Sequence, residues 1–118
     1  MRSRLLIVDD NRHFLEAAKD LLERQGAEVV GVCSTGADAA RLAAELRPDV
    51  VLVDVDLGPE DGLDVAARFG GSPPVLLISA YSEAEIADLL ACSTAVGFIS
   101  KTDLSADRIV ALLDHTGT

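Results

Sequence analysis

Five polar residues in this chain could together carry out phosphoryl transfer. Each lies at the end of a short apolar run, and they are Asp9, Asp10, Asp54, Ser79 and Lys101. Close carboxylates repel by about 1 kcal/mol in water and about 4 kcal/mol near a protein surface, so a cluster of three needs a cation. Mg²⁺ prefers oxygen ligands. With a lysine and a hydroxyl nearby, the set favours transfer of a phosphoryl group to an aspartate.

The run Val50–Val53 and Asp54 show how such residues would be positioned. Four consecutive apolar residues, most of them β-branched, are typical of a strand that is buried on both faces of a parallel sheet. A lone carboxylate is too costly to bury inside such a strand. Asp54 is therefore predicted at the carboxyl end of the strand, where open α/β sheets bind their ligands.

The hydrophobic pattern predicts five strands that alternate with five helices. The strands are predicted over 5–8, 27–33, 50–53, 75–78 and 95–100. The helices are predicted between the first strand and Gly26, between a capping box at Thr35 and Pro48, and over 63–69, 82–91 and 103–114. This alternation indicates an α/β, doubly wound parallel sheet with helices on both faces, in the order 2-1-3-4-5. That order brings the ends of the first and third strands side by side.

Length and charge limit the possible functions. The chain has 118 residues, which fits a single domain over 1–118, and a formal net charge of −10. An acidic surface argues against direct binding to nucleic acid or to an anionic membrane. No apolar run approaches the length of a membrane span. The composition predicts a cytoplasmic domain whose partners are proteins or cations.

The two cysteines, Cys33 and Cys92, are expected to be small core residues.

In this order and at these spacings, the five residues resemble those of response-regulator receiver domains in two-component signalling. The resemblance covers the whole chain and implies a flavodoxin-like fold. It implies that Asp54 accepts a phosphoryl group from the phosphohistidine of a histidine kinase. It also implies that Asp10, Asp54 and the backbone carbonyl of Asp56 bind Mg²⁺ directly, whereas Asp9 acts mainly through water.

The resemblance gives roles to three further side chains. Lys101 would pair with Asp54 or with a phosphoryl oxygen, and Ser79 would donate a hydrogen bond to the phosphoryl group. Phe98, in the segment Gly97–Lys101, matches the aromatic switch residue of the family. Ser79 and Phe98 would together move the interaction surface that controls a downstream protein or an output domain.

Two positions depart from the family pattern. Receivers usually have proline four residues after the acceptor, where this chain has Gly58, with Pro59 following it, although Gly62 fits the pattern. This predicts a differently shaped loop beside the site. Thr102 replaces the usual proline after Lys101, and a cis bond before a residue other than proline costs roughly 2.5–4 kcal/mol, so a trans bond is expected.

Two other functions compete with signalling. The pair Asp54 and Asp56 also looks like the nucleophile motif of haloacid dehalogenase-like phosphatases, in which Asp56 would be the general acid and base. In those enzymes, however, the motif follows the first strand of a longer chain. A phosphorylation-independent interaction module would be indicated by loss of a site residue, and none of the five is lost.

Acidic residues dominate the predicted surface formed by the fourth helix, fifth strand and fifth helix. They are Glu83, Glu85, Asp88, Asp103 and Asp107, against Arg108. A two-fold interface must offer both signs of charge. This surface is therefore expected to bind a basic partner, and a homodimer that forms through another face remains possible.

Four further residues lie near the predicted site. Glu60 and Asp61 are interpreted as a solvated acidic loop, and Asp56 and Tyr81 as residues that flank the site.

Overall fold

Five parallel strands form the central sheet in the computed structural model, which describes residues 3–91 and 93–116. The strands are β1 (Arg4–Val8), β2 (Glu28–Cys33), β3 (Val50–Asp54), β4 (Val75–Ser79) and β5 (Gly97–Ser100). Their order is β2-β1-β3-β4-β5, and every neighbouring pair is parallel. The predicted fold class and strand order are therefore confirmed.

Among the described residues, five helices cover the two faces of this sheet. They are α1 (Arg12–Arg24), α2 (Gly36–Leu46), α3 (Gly62–Arg68), α4 (Ala87–Leu90) and α5 (Ala106–Thr116). Successive residues of β1 point to opposite faces, so Leu5 and Ile7 join the core under α1 and α5. Leu6 and Val8 join the core under α2 and α3. None of the described helices is long and apolar enough to cross a bilayer.

Local capping sets the starts of the first two helices. Asn11 begins α1, since its side-chain oxygen accepts a hydrogen bond from the Phe14 backbone N–H. At the start of α2, the Thr35 hydroxyl accepts from the Asp38 backbone N–H, as the predicted capping box requires.

Cys33 is buried as expected, and this burial raises the pKa of its thiol to about 11. Cys92 lies outside the described residues.

The predicted helix over 82–91 is shorter than its sequence pattern indicated. The capping box is present, because Ser82 and Glu85 exchange side-chain-to-backbone hydrogen bonds of 3.1 and 3.3 Å. It opens a series of turns, however, and only Ala87–Leu90 is α-helical. Ile86 is the one buried apolar residue in this segment, so tertiary packing supports little more than one helical turn.

The boundaries around β5 and the last helix also differ from those predicted. β5 begins at Gly97 rather than at residue 95, and α5 begins at Ala106 rather than at Asp103. A single 3₁₀ turn, Lys101–Asp103, follows β5. Leu104 then takes an extended conformation and buries its side chain, which separates this turn from α5.

A two-residue antiparallel ribbon joins β3 to α3, and the sequence pattern did not predict it. Asp56 pairs with Asp61, and Leu57 pairs with Glu60, across the turn formed by Gly58 and Pro59. The interpretation of Glu60 and Asp61 as a solvated loop is wrong for Glu60, which is only partly exposed, whereas Asp61 is exposed to solvent. Glu60 Oε1 accepts a hydrogen bond from the Gly36 N–H at the start of α2, and Asp61 caps α3 by accepting from Leu63.

Gly62 allows this ribbon and α3 to pack directly on the end of β3. Its N–H donates to the Val55 carbonyl, and a Cβ atom added at Gly62 would lie 1.8 Å from the Asp54 carbonyl oxygen. The carbonyl groups of Val55 and Asp54 both belong to the backbone, so neither can rotate away as a side chain could. The absence of a side chain at residue 62 therefore sets the position of the acceptor strand relative to α3.

We expect Gly62→Ala to destabilise the protein by at least about 2 kcal/mol, because overpacking against fixed backbone forces a shift of the chain. Gly70→Ala is the matched control, since Gly70 has a φ of 61° and open space where a Cβ atom would lie, so it carries only the backbone penalty. Urea denaturation of both variants measures the difference. Equal stability of the two variants would contradict this account of Gly62.

Candidate functional site

The register of the sheet brings the predicted site residues to one edge. Val8 pairs with Val53, so Asp9 and Asp54 follow neighbouring positions of β1 and β3. Ser79 pairs with Ser100, which places Lys101 one residue beyond the end of β4. These side chains line a cleft of about 260 Å³ at the carboxyl end of the sheet, together with Asp10, Asn11, Asp56, Ala80 and Tyr81.

Lys101 bridges two buried carboxylates at the centre of the cleft. Its Nζ atom lies 2.9 Å from Asp54 Oδ2, to which it donates a hydrogen bond, and 2.7 Å from Asp9 Oδ2. Asp9 is fully buried and Asp54 is 6% exposed. The bond between Lys101 and Thr102 is trans, since Ser72–Pro73 is the only cis peptide among the described residues.

One ammonium group does not fully compensate two buried carboxylates. Burial raises the pKa of Asp54, and the charge of Asp9 adds to this, so that the hydrogen bonds from Lys101 and from the Asp56 backbone only partly oppose the shift. Burial lowers the pKa of Lys101, but its contacts with Asp9 and Asp54 outweigh that effect, and the net pKa is raised. The site thus retains excess negative charge.

The donor atoms present fit a hard divalent cation. Asp9, Asp10 and Asp54 offer carboxylate oxygens that all lie within 4.8 Å of one another. Asp9 Oδ2 is buried and has no hydrogen-bond partner of good geometry, although the Lys101 ammonium lies beside it. Asp10 is exposed, so the cluster is open to solvent on one side. An open set of oxygen ligands is what Mg²⁺ requires.

The role that the resemblance implies for Asp9, towards Mg²⁺ through water, stays a prediction. Asp9 contacts the Lys101 ammonium directly through Oδ2. Its other oxygen, Oδ1, accepts a hydrogen bond of 2.8 Å from the Asn11 backbone N–H. Asp9 therefore ties the first residues after β1 to the lysine that follows β5.

Asp56 and Gly58 shape the entrance of the cleft. The Asp56 N–H donates to Asp54 Oδ1, and the Asp56 carboxylate accepts from the Gly58 N–H, while its side chain stays exposed. Gly58 has a φ of 76°, and a Cβ there would lie 2.9 Å from Asp10 Oδ2. The glycine that replaces the usual proline thus gives Asp10 room beside the ribbon.

Ser79 and Phe98 lie at different depths relative to the cleft. Ser79 is buried at its wall, and its hydroxyl oxygen accepts a hydrogen bond from the Tyr81 backbone N–H, which leaves the hydroxyl proton free to donate elsewhere. Phe98 is 7% exposed and does not line the cleft. It packs in the core on the α2 and α3 side, beside β4.

Phe14 also belongs to the site, and the sequence did not indicate this role. Its helical spacing assigned it to the core, and it does pack there. In addition, the Lys101 Nζ atom lies 4.2 Å from the centre of the Phe14 ring. The one sequence signal was its position four residues after Asp10, on the turn of α1 that faces the cleft.

Comparison with known proteins assigns the chain to a family. Residues 5–114 match the family model described as response regulator receiver domain. The chain is 27% identical to the transcriptional regulatory protein PdtaR of Mycobacterium tuberculosis over 92% of its length and 54% of the relative. It is 36% identical to protein-glutamate methylesterase/protein-glutamine glutaminase 5 of Myxococcus xanthus, over 92% of its length and 33% of the relative.

A solved structure agrees with this assignment. The signal receiver domain of a modulated diguanylate cyclase from Desulfovibrio desulfuricans superimposes with a TM-score of 0.78 and 30% identity, over 98% of this chain and 93% of that one. The chain spans about half or less of the two curated relatives, which therefore contain further sequence. Phosphorylation-activated signalling is the general function of the family. The chain belongs to the family of response regulator receiver domains.

Proposed function

We propose that residues 1–118 form one receiver unit in which Asp54 accepts a phosphoryl group from the phosphohistidine of a sensor histidine kinase. The observation that carries this proposal is the arrangement of Asp54 beside Lys101, Asp9 and Asp10 in one open cleft. The proposed location is the cytoplasm, and the proposed partners are that kinase, or a phosphotransfer protein, and a downstream protein or output domain.

The proposed metal site has Asp10, Asp54 and the Asp56 backbone carbonyl as direct ligands, and Asp9 would act on the ion mainly through water. Bound Mg²⁺ would neutralise charge on the carboxylates and on the incoming phosphoryl group. An Asp54 oxygen would attack phosphorus as the bond between phosphorus and the histidine nitrogen breaks, and the imidazole would leave. Asp54 Oδ2 is held by Lys101, and Oδ1 is held by the Asp56 N–H, so the carboxylate has a fixed orientation.

Lys101 and Ser79 would bind the transferred group. The Lys101 ammonium lies against Asp54 and could pair with a phosphoryl oxygen once that oxygen replaces the carboxylate. The free proton of the Ser79 hydroxyl could donate to a second oxygen. Such a bond exists in only the phosphorylated state, so it can shift a conformational equilibrium. Phe98 would then repack beneath the cleft as the aromatic switch.

Family membership indicates a signalling role rather than that of a metabolic enzyme. We propose that the domain nevertheless catalyses its own phosphorylation and its own loss of phosphate, since the charged groups in the cleft would act in both directions. Asp56 and Tyr81 flank the cleft and are exposed, so water that attacks the phosphoryl group would pass them.

We expect Asp54 to be phosphorylated by acetyl phosphate only when Mg²⁺ or Mn²⁺ is present, because the acidic cluster repels an anionic donor. Intact-mass measurement of the wild type with and without the cation tests this. Asp54→Asn should gain no phosphoryl group, and Asp56→Asn, which keeps its backbone atoms, is the matched control that should still gain one. A full adduct on Asp54→Asn would place the acceptor elsewhere.

We also expect Asp54→Asn to stabilise the metal-free protein at pH 7 by about 1 kcal/mol, a few degrees in Tm. The raised pKa of Asp54 means that its charge opposes folding at neutral pH, and this penalty fades as the pH falls through that pKa towards the ordinary carboxyl value. Mg²⁺ should narrow or reverse this difference in stability, because the ion stabilises the wild type by binding to it and the variant has lost one of the ligands. Thermal melts at pH 7 and pH 4 measure it, and a variant less stable than the wild type at pH 7 without metal would contradict the argument.

We further propose that the surface of α4, β5 and α5 binds a basic partner and forms no symmetric, salt-bridged dimer. Its exposed acidic residues outnumber Arg108, and they are Glu83, Glu85, Asp88, Asp103 and Asp107. Two copies facing each other would bring like charges together, which can cost several kcal/mol. Glu85 is engaged in its capping box, so Asp88 and Asp107 are the better positions for a test.

Sedimentation of the beryllofluoride-activated domain tests this expectation. The wild type should be a monomer, or a dimer whose affinity is unchanged by Asp88→Lys and Asp107→Lys. Asp20→Lys on the exposed side of α1 is the matched charge reversal on another face. A dimer that the α4 and α5 reversals weaken, and that Asp20→Lys does not, would show that this acidic surface self-associates.

A further inference from the structure

The Phe14 ring and the Lys101 ammonium form a contact that has no part in the chemistry proposed above. Nζ of Lys101 lies 4.2 Å from the ring centre, well within the distance at which an aromatic face attracts a cation. Phe14 is half-buried and Lys101 is partly buried, so little water screens the contact. Such a contact is stronger when it is desolvated.

A closed circuit of contacts places the ring over the ammonium. Asp9 Oδ2 contacts the Lys101 ammonium, and Asp9 Oδ1 accepts a hydrogen bond from the Asn11 N–H. The Asn11 side chain in turn accepts from the Phe14 N–H, which starts α1. The Phe14 ring then returns to Lys101. The start of α1 is thus built so that one lysine contacts both an acid before the helix and an aromatic ring within it.

Lys101 needs this support because its stem is long and flexible. A lysine ammonium is a point charge on a flexible four-carbon stem, so ion pairs by themselves restrict its position poorly. The contact with Asp54 is also the one that must change, since an Asp54 oxygen is the atom that would bond to phosphorus. Asp9 and Phe14 contact Lys101 independently of Asp54, so they can hold the ammonium while that oxygen reacts.

We propose that Phe14 is a positioning residue, whose aromatic face holds the Lys101 ammonium at the phosphoryl-accepting end of the cleft. The proposal rests on the proposed function of Lys101 in phosphoryl transfer. Phe14 acts through Lys101 rather than on the phosphoryl group itself. Its packing against the core does not by itself require an aromatic residue, and leucine would fill much of the same space.

NMR spectra of the protein, isotopically labelled at the ε-carbon of lysine, test the contact between Phe14 and Lys101 without reference to activity. The chain contains two lysines, and Lys19, which is exposed on α1 and paired with Glu23, supplies the reference signal. In the metal-free wild type, the Lys101 ε-methylene protons should be shifted upfield by the ring and should be inequivalent. In Phe14→Leu they should lose the upfield shift and become less inequivalent, because only Asp9 and Asp54 then hold the ammonium. An unshifted Lys101 signal in the wild type, or an inequivalence in Phe14→Leu as large as that of the wild type, would overturn the proposal.

The rate of phosphorylation by acetyl phosphate at saturating Mg²⁺ tests the consequence. Phe14→Leu should slow phosphorylation of Asp54 by about 3- to 10-fold, the range expected for loss of a partly desolvated cation–π contact. Phe14→Tyr keeps the aromatic face and should stay within about 2-fold of the wild type. Phe69→Leu is the matched control, because Phe69 is partly buried in the other core cluster and should leave the rate unchanged.

The outcomes separate this proposal from the proposed function. If Phe14→Leu matches Phe69→Leu in rate, or if Phe14→Tyr is as slow as Phe14→Leu, Phe14 does not position Lys101 through its aromatic face. If Phe14→Leu disturbs folding, 3,4,5-trifluorophenylalanine at this position keeps the ring shape and weakens its negative face, and it should slow the reaction similarly. If the wild type itself gains no phosphoryl group on Asp54, the proposed function fails, and the Lys101 signal still decides whether Phe14 holds the ammonium.

Discussion

The pairing of one ammonium with two buried carboxylates is the interaction on which the rest of the site depends. Lys101 reaches Asp9 from the first strand and Asp54 from the third, so it connects the three strand ends that enclose the cleft. Without it, two carboxylates would be buried beside each other with no positive group, a cost that protonation of one of them would relieve. With it, the site is stable but remains negatively charged overall, which is the state from which a cation can bind.

Close backbone packing then controls the geometry around this pair. Gly62 lets α3 approach the carbonyl of Asp54, and Gly58 gives the carboxylate of Asp10 its space. Between them, the ribbon of 56–57 and 60–61 directs the Asp56 N–H onto Asp54 and the Glu60 carboxylate onto the start of α2. A loop that looked like a solvated acidic connection is therefore part of the frame of the site.

Charge and packing differ between the two sides of the cleft. On the α1 side, the contacts among Asp9, Asn11, Phe14 and Lys101 are local and closely connected. On the α4 side, the segment 82–91 contains one turn of helix, carries the exposed Glu83, Glu85 and Asp88, and has little buried apolar surface. Elements with few buried contacts open most easily, so the α4 side is the part of the fold best suited to change when the charge at Asp54 changes.

The sequence by itself determined the five strands and placed Asp9, Asp10, Asp54, Ser79 and Lys101 at their carboxyl ends, because buried parallel strands have continuous apolar runs and polar residues can follow only at their ends. The strand order that makes these ends converge was expected from the general pattern of five-stranded doubly wound sheets and not from the residues alone. Only the tertiary structure decided the short α4, the turn before α5, the acidic ribbon and the Phe14 contact. The physical reason is that helix length depends on what a segment can bury, and the role of a carboxylate or a ring depends on the partner brought to it from a distant part of the chain.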